Sequence, residues 1–259
     1  MNNTFNLNRF MLLFKKHSIE HAKTYLLSVI VLMGLIFIVL GFNSYTNRGL
    51  LDRNAQQLTF MFIMLGGGSI FTSMGFIELG DKKKAIPFLT LPASHFEKYL
   101  VSWLYGYVIF QLMFIAAFYV VDIAVIHLGT QPTDERNQLL NIFSSDERFS
   151  MVFLFYAFLN GLALWGAVFY EKMHFIKTAV VFFVCLTVMI ALNNHLLHLF
   201  VGQELEGKVP FQGAGINDHV HFWQIYPDKS ITQIGPYIIV LMAGLLWTSA
   251  YFRLKEKEV

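Results

Sequence analysis

Histidine is the residue in this sequence that could most readily do chemistry, because imidazole binds transition metals and exchanges protons near neutral pH. Two histidines lie three residues apart in an apolar run and would share one helix face; two later ones alternate and would share one side of an extended chain. They are His195, His198, His219 and His221. Glu204 and Glu206 lie between the pairs and could complete a zinc or copper site. Histidines at the edge of apolar runs more often hydrogen-bond to water and headgroups, so we expect no bound metal or other cofactor.

Serine and histidine could also form a nucleophile and a base, and Ser69 and His195 both lie in apolar runs. The sequence has neither G-x-S-x-G nor H-E-x-x-H around them. The glycine run at 66–68 lacks the Gly-Lys-Ser/Thr ending that holds phosphates and magnesium. We therefore expect neither catalysis nor nucleotide binding in this chain, and we expect the glycines to serve close helix packing or a kink.

Two carboxamides, Gln111 and Asn160, lie deep in apolar runs. A buried amide at such a position favours a hydrogen bond between helices, and the alternative is that it lines a substrate path. The single cysteine, Cys185, excludes an intrachain disulfide and a thiolate metal cluster.

The elements that position these residues follow from composition. Hydrophobic residues make up 56% of the 259 residues and charged residues 14%, which is far from soluble usage. A helix needs about 20 apolar residues to cross a bilayer, and six segments qualify: 25–43, 58–79, 99–126, 151–170, 176–200 and 234–252. Continuous apolar runs exclude alternating barrel strands. The sequence predicts a single all-α domain over 1–259, a polytopic membrane bundle of about six helices.

Lysine and arginine predict the orientation of this bundle, because positively charged loops tend to stay in the cytosol. The N-terminal segment, the second and fourth connections and the C-terminal tail together hold 13 of them, whereas the other three connections hold 6. We expect both termini in the cytosol. A net charge of +2 without a basic stripe argues against a nucleic-acid partner.

Three regions outside the spans carry their own patterns. Residues 5–20 predict an amphipathic helix lying at the membrane surface before the chain turns into the first span. The cytosolic loop 80–98 contains the capping-box sequence Ser94-His95-Phe96-Glu97, so we expect Ser94 to cap the third span. The outward loop 201–233 is rich in glycine and proline, and we expect it to be irregular or only briefly helical.

The loop sequence Glu78-Leu79-Gly80-Asp81-Lys82-Lys83-Lys84, followed by Leu89-Thr90-Leu91-Pro92-Ala93-Ser94, resembles the acidic-then-LP-x-S passage of type-2 ABC transporter permeases. The six spans, cytosolic termini and amphipathic first helix are also similar to that family. The resemblance implies that 81–93 docks on a separate cytosolic ABC ATPase subunit and that 5–20 braces the contact. The implied coupling residues are Asp81, Lys82, Lys83, Lys84, Ala85, Ile86 and Pro87.

The resemblance further implies an exporter in the bacterial inner membrane, assembled as a homodimer or with a related permease. Two other hypotheses stay open. A non-transporting membrane sensor, immunity or assembly protein could bind a partner through the same loop, and an intramembrane hydrolase is the third possibility. The sequence leaves the substrate and the direction of transport open.

Overall fold

The computed structural model describes residues 5–76, 86–87, 90–129, 138–142, 149–170, 172–201, 205–206, 214–217, 222–225 and 229–256. Six helices in this part of the chain are long and apolar enough to cross a membrane, which confirms the expected number of helices of membrane-spanning length. Each overlaps one predicted span. They are α1 (Leu7–Thr46), α2 (Arg53–Ser73), α3 (His95–Leu128), α4 (Phe149–Phe169), α5 (His174–Val201) and α6 (Lys229–Lys255).

Helix α1 corrects the expectation for residues 5–20. These residues do not form a separate surface helix that turns into the span, because α1 is continuous over 40 residues. No proline and no glycine occurs in α1 before Gly34, so nothing in the sequence interrupts its hydrogen bonding. The helix is about 60 Å long, twice the roughly 30 Å of a bilayer core. It is thus longer than a single membrane crossing requires.

Helix α3 runs beside α1 in the same direction. Arg9 pairs with Glu97 near the start of both helices, and Ser18 contacts Tyr105 further along. The helix changes to π-helical hydrogen bonding over Leu104–Ile109 and returns to α-helix at Phe110. Short π segments interrupt regular packing and often occur at functional sites.

The centre of the bundle is formed by α2, α3 and α4. In the most apolar 18-residue stretch of α4, half of the residues are buried, whereas in that of α5 only 6% are. Aromatic edge-to-face contacts fill the core around Phe60, which meets Phe114, Phe118 and Phe149 at centroid distances of 5.2–5.3 Å. Helices α1, α5 and α6 line the outside of the bundle, so most of their apolar side chains face the surroundings.

Three short strands occur in the segment predicted to be irregular or briefly helical: β1 (Leu205–Glu206), β2 (Ala214–Asn217) and β3 (Phe222–Ile225). They form an antiparallel sheet in the order β1-β2-β3. These residues correct the expectation of an irregular or briefly helical segment, because pairing of the neighbouring strands satisfies their backbone groups. The bundle is thus helical with a small sheet between α5 and α6.

Candidate functional site

The carboxylate of Glu97 joins the first turns of two helices. At α3, Ser94 N donates to Glu97 Oε2 at 2.9 Å, and Glu97 N donates to Ser94 Oγ at 3.1 Å. This reciprocal pair is the capping box that the sequence predicted, with Ser94 as the N-cap. The cap satisfies backbone amides that the first turn of a helix leaves without partners.

The second oxygen of Glu97 reaches α1. Glu97 Oε1 accepts from the backbone N of Asn6 at 2.8 Å and from Nη2 of Arg9 at 3.1 Å. Asn6 is itself the N-cap of α1, and its Oδ1 accepts from Asn8 N at 2.9 Å. The Glu97 side chain is completely buried. One buried negative charge therefore lies at two helix N-termini, where the helix dipoles favour an anion.

Aromatic side chains continue this contact along the two helices. Phe5 packs edge-on against Phe96 at 6.1 Å, and Phe14 lies 5.1 Å from the ring of Tyr105. Phe96 also meets Tyr251 of α6 at 5.9 Å. The apolar side predicted for residues 5–20 thus packs in part against α3. These partly exposed aromatic contacts join the beginnings of α1 and α3 to the end of α6.

Of the implied coupling residues, Asp81–Ala85 lie outside the described residues. Ile86 and Pro87 are described and exposed. The hydroxyl of Thr90 donates to the carbonyls of Ile86 at 2.8 Å and Pro87 at 3.3 Å, as in a helical turn. This turn lies a few residues before the N-cap Ser94. The loop therefore ends at the hydrogen bonds between Ser94 and Glu97.

Asn160 lies at the centre of a second polar cluster, in the middle of the bundle. Its Nδ2 donates to Thr72 Oγ1 at 2.9 Å, and Nε1 of Trp247 donates to its Oδ1 at 3.0 Å. Its side chain is fully buried. Both ends of the carboxamide are occupied by other helices, which favours the interpretation as a bridge between α2, α4 and α6 over a substrate path.

The π segment of α3 enters the same cluster through one carbonyl. The oxygen of Gly106 accepts from the hydroxyls of Thr72 and Tyr156. A Cβ at Gly106 would lie 3.0 Å from Thr72 Oγ1 and 3.2 Å from Asn160 Nδ2, so glycine allows this approach. A π segment leaves carbonyls free for partners outside the helix, and here α2 and α4 supply the donors.

Gln111, the other carboxamide, is half-buried in α3. Its Nε2 is buried and has no hydrogen-bond partner within the described residues. No bond links it to Asn160 in this part of the chain. The hypothesis that Gln111 lines a substrate path stays a prediction.

The candidate metal ligands, which we did not expect to bind a metal, form no cluster among the residues that the structure describes. His195 and His198 are both exposed near the end of α5, while His219 and His221 lie outside the described residues. Among the residues described, no group of three histidine, cysteine, aspartate or glutamate side chains could hold a metal ion. The i, i+3 pair by itself provides two ligands, one or two fewer than a zinc site uses.

Ser69 and His195 are also apart. Ser69 lines a cleft together with residues from the first part of α5. Phe182 and Phe183 are the lining residues furthest along that helix. Thirteen residues separate Phe182 from His195, or about 20 Å along a helix. The Ser69 hydroxyl donates to the carbonyl of Leu65 at 2.6 Å. This geometry does not form a nucleophile and base.

Asp122 lies inside the third predicted span, and its side chain is fully buried. Nε2 of Gln56 donates to its Oδ1 at 3.0 Å, and the backbone N of Leu140 donates to its Oδ2 at 3.4 Å. Gln56 Nε2 also donates to the carbonyl of Gln138. Asp122 thereby attaches the connection between α3 and α4 to the start of α2. The signal in the sequence was a single acid inside the third predicted span, and nothing local pairs it with Gln56.

Sequence reasoning missed a cavity of about 230 Å³ between α1, α2 and the π segment of α3. His17, His21 and Tyr25 line it from α1 at i, i+4 and i+8. His17 Nε2 lies 2.6 Å from Tyr25 Oη, and Tyr25 stacks on Tyr105 at 5.2 Å. The helical spacing of these polar aromatic residues could have indicated the cavity. Its lining is mainly aromatic and imidazole rings, together with Thr24, Ser28 and Thr72.

No family model matches the chain, and no curated protein or solved structure matches it either. Its function must therefore be inferred from its own residues and their geometry.

Proposed function

We propose that this chain is the membrane-spanning permease subunit of an ABC-type exporter and that a separate cytosolic ATPase supplies the energy. The proposal starts from six helices capable of spanning a membrane and from the resemblance of 78–94 to the loop of type-2 permeases. Such a subunit needs no catalytic residues, because nucleotide-driven closure of its partner would move the helices between two packings.

The observation that carries the proposal is the double attachment of Glu97. The coupling loop would have to transmit force from a partner to the spans, and a loop ending on a frayed helix would absorb that force. Glu97 instead ties the residue before α3, Ser94, to the residue before α1, Asn6. A rigid junction of this kind supports transmission through α1 and α3 together.

The assembly follows from the same proposal. Two copies, or one copy and a related permease, would lie side by side in the bacterial inner membrane, each contacting one ATPase. Helices α1, α5 and α6 expose enough apolar surface for both lipid and a second subunit. Export of a substrate is the direction we propose from the family resemblance.

The test is purification of the tagged chain from its native membrane in mild detergent, with identification of co-purifying proteins by mass spectrometry. We expect a stoichiometric cytosolic ATPase. Charge reversal at Lys82–Lys84 should reduce its recovery about tenfold or more, since like charges facing each other in an interface cost several kcal/mol. A bulky residue at Ala85 should have the same effect.

The matched control reverses Lys172 and Lys177, which are cationic, exposed and on the same predicted side. It should leave ATPase recovery unchanged. Purification of the chain alone, or with only membrane or regulatory proteins, would favour the sensor or assembly hypothesis. ATPase recovery that both sets of reversals leave equal would remove the loop from the contact.

A further inference from the structure

A cleft of about 220 Å³ lies between α2, α4 and α5 within the membrane-spanning part of the bundle. Its walls are apolar: Phe62, Leu65, Leu159, Leu162, Phe175 and Phe182. The cleft begins where α5 is in tight contact with α4, since a Cβ at Gly166 would lie 1.8 Å from Thr178 Oγ1. It is a packing gap that the helices themselves leave open.

The three hydroxyl groups that line the cleft have no free donor to offer. Ser69 Oγ donates to Leu65 O at 2.6 Å, Ser73 Oγ to Ser69 O at 2.8 Å and Thr178 Oγ1 to His174 O at 2.8 Å. A buried water needs two to four polar partners, and an apolar cavity without them stays dry. Because these donors are bonded inside the helices and the other walls are apolar, the cleft suits an apolar occupant better than water.

The opening of the cleft faces outward. Phe62 of α2 and Phe183 of α5 line it and are 66% and 62% exposed. In a membrane this surface meets lipid chains. A helix with its side chains is about 10 Å across, which is wide for a gap between three helices that pack against one another. A single acyl chain is thin enough to enter, whereas a helix of a second copy is not.

Positive charge lies at the end of the bundle where the cleft begins. Lys172 is in the connection between α4 and α5, Lys177 is in the first turn of α5, and both are exposed. Thr178, next to Lys177, lines the cleft itself. Lysines near helix ends reach the interface and attract anionic headgroups.

We propose that the cleft between α2, α4 and α5 holds one acyl chain of a phospholipid whose anionic headgroup lies at the lysine-bearing end of the bundle. The lipid fills the gap between α2 and α5, which otherwise have little contact. This site is independent of the proposed transport function, because it depends only on the packing of three helices and on the charge beside them.

Gly66 provides the test. It lines the cleft, and a Cβ added there meets nothing within 4 Å, so Gly66→Leu should fill the cleft without displacing a neighbour. Gly34→Leu is the matched control, because Gly34 is also in a membrane-spanning helix with open space at its Cβ and does not line the cleft. Both changes remove the same glycine penalty in a helix.

The purified full chain is incubated in mild detergent with equal amounts of phosphatidylcholine and phosphatidylglycerol. Native mass spectrometry then identifies the bound lipids from their masses. We expect one phosphatidylglycerol per chain. Gly66→Leu should reduce bound lipid about tenfold or more, and Gly34→Leu should not. Reversal of Lys172 and Lys177 should abolish the preference for phosphatidylglycerol.

Retention of the same lipid by Gly66→Leu would overturn the proposal, as would equal binding of the two headgroups by the unaltered chain. The same spectra report the mass of the assembly. Loss of a dimer in Gly66→Leu, with no lipid on the unaltered chain, would show that the cleft is a contact between copies instead.

Discussion

Arg9 and Glu97 are 88 residues apart in the sequence, yet Nη2 of Arg9 lies 3.1 Å from Oε1 of Glu97. The Glu97 side chain is fully buried, whereas that of Arg9 is one-third exposed. Neither residue would be stable in this arrangement without the other interactions of the carboxylate, since a buried charge needs several partners to offset the loss of water. The amides of Asn6 and Ser94 are those partners.

Replacing Glu97 should therefore destabilise the junction of α1 and α3. Glu97→Ala leaves two backbone amides and an arginine without their acceptor, and we expect a loss of about 3–5 kcal/mol, the range for breaking a buried pair. The thermal unfolding midpoint in detergent measures it. Glu20→Gln is the control, because its pair with Lys16 is exposed and should contribute about 1 kcal/mol or less. Equal midpoints for both variants would contradict the role of Glu97.

Two glycines of the 66–68 run should respond in opposite ways to alanine. A Cβ at Gly68 would lie 2.2 Å from Cε2 of Tyr156, so Gly68→Ala should cost about 1–3 kcal/mol through overpacking. Gly66 has open space, and Gly66→Ala should be neutral or stabilise the helix by up to about 1 kcal/mol. Unfolding midpoints of the two variants compare them directly. A similar response at both positions would mean that α2 and α4 are further apart than described.

The bridge between Asn160 and Trp247 should appear as a coupling energy. In a double-mutant cycle with Asn160→Ala and Trp247→Phe, we expect about 0.5–1.5 kcal/mol, as for other hydrogen bonds within membranes. Thr248→Val replaces Trp247→Phe in the control cycle, because its hydroxyl donates to its own helix at Gly244. Coupling there should stay below about 0.5 kcal/mol. Equal coupling in both cycles would count against a specific bond to the indole.

The orientation predicted from lysine and arginine can be measured with single cysteines. Starting from Cys185→Ser, Asn47→Cys places a thiol at the end of α1 and Glu256→Cys places one after α6. In intact spheroplasts, a membrane-impermeant maleimide should label position 47 and not position 256. Lysed membranes should show both labelled, which controls for access. Labelling of position 256 alone in intact spheroplasts would reverse the orientation.

The local features of the fold were accessible from sequence. The Ser94–Glu97 capping box formed as expected because it depends on residues three apart. The surface helix at 5–20 was wrong as a separate element, because an amphipathic pattern reports which side is apolar but does not show whether the helix stops. The pattern of Gly66–Gly68 indicated close packing, but it could not tell which glycine is in contact.

The sequence by itself determined that this protein has six helices of membrane-spanning length, since the thickness of a bilayer and the hydrogen bonding of a single helix are local constraints. It also predicted an orientation and a coupling loop, both of which stay predictions. Only the tertiary structure decided that Glu97 serves two helices, that Asp122 is buried against Gln56, and that His17, His21 and Tyr25 enclose a cavity. These features depend on which helix faces join, and in a chain with apolar residues on nearly every face, that choice follows from the packing of the whole bundle.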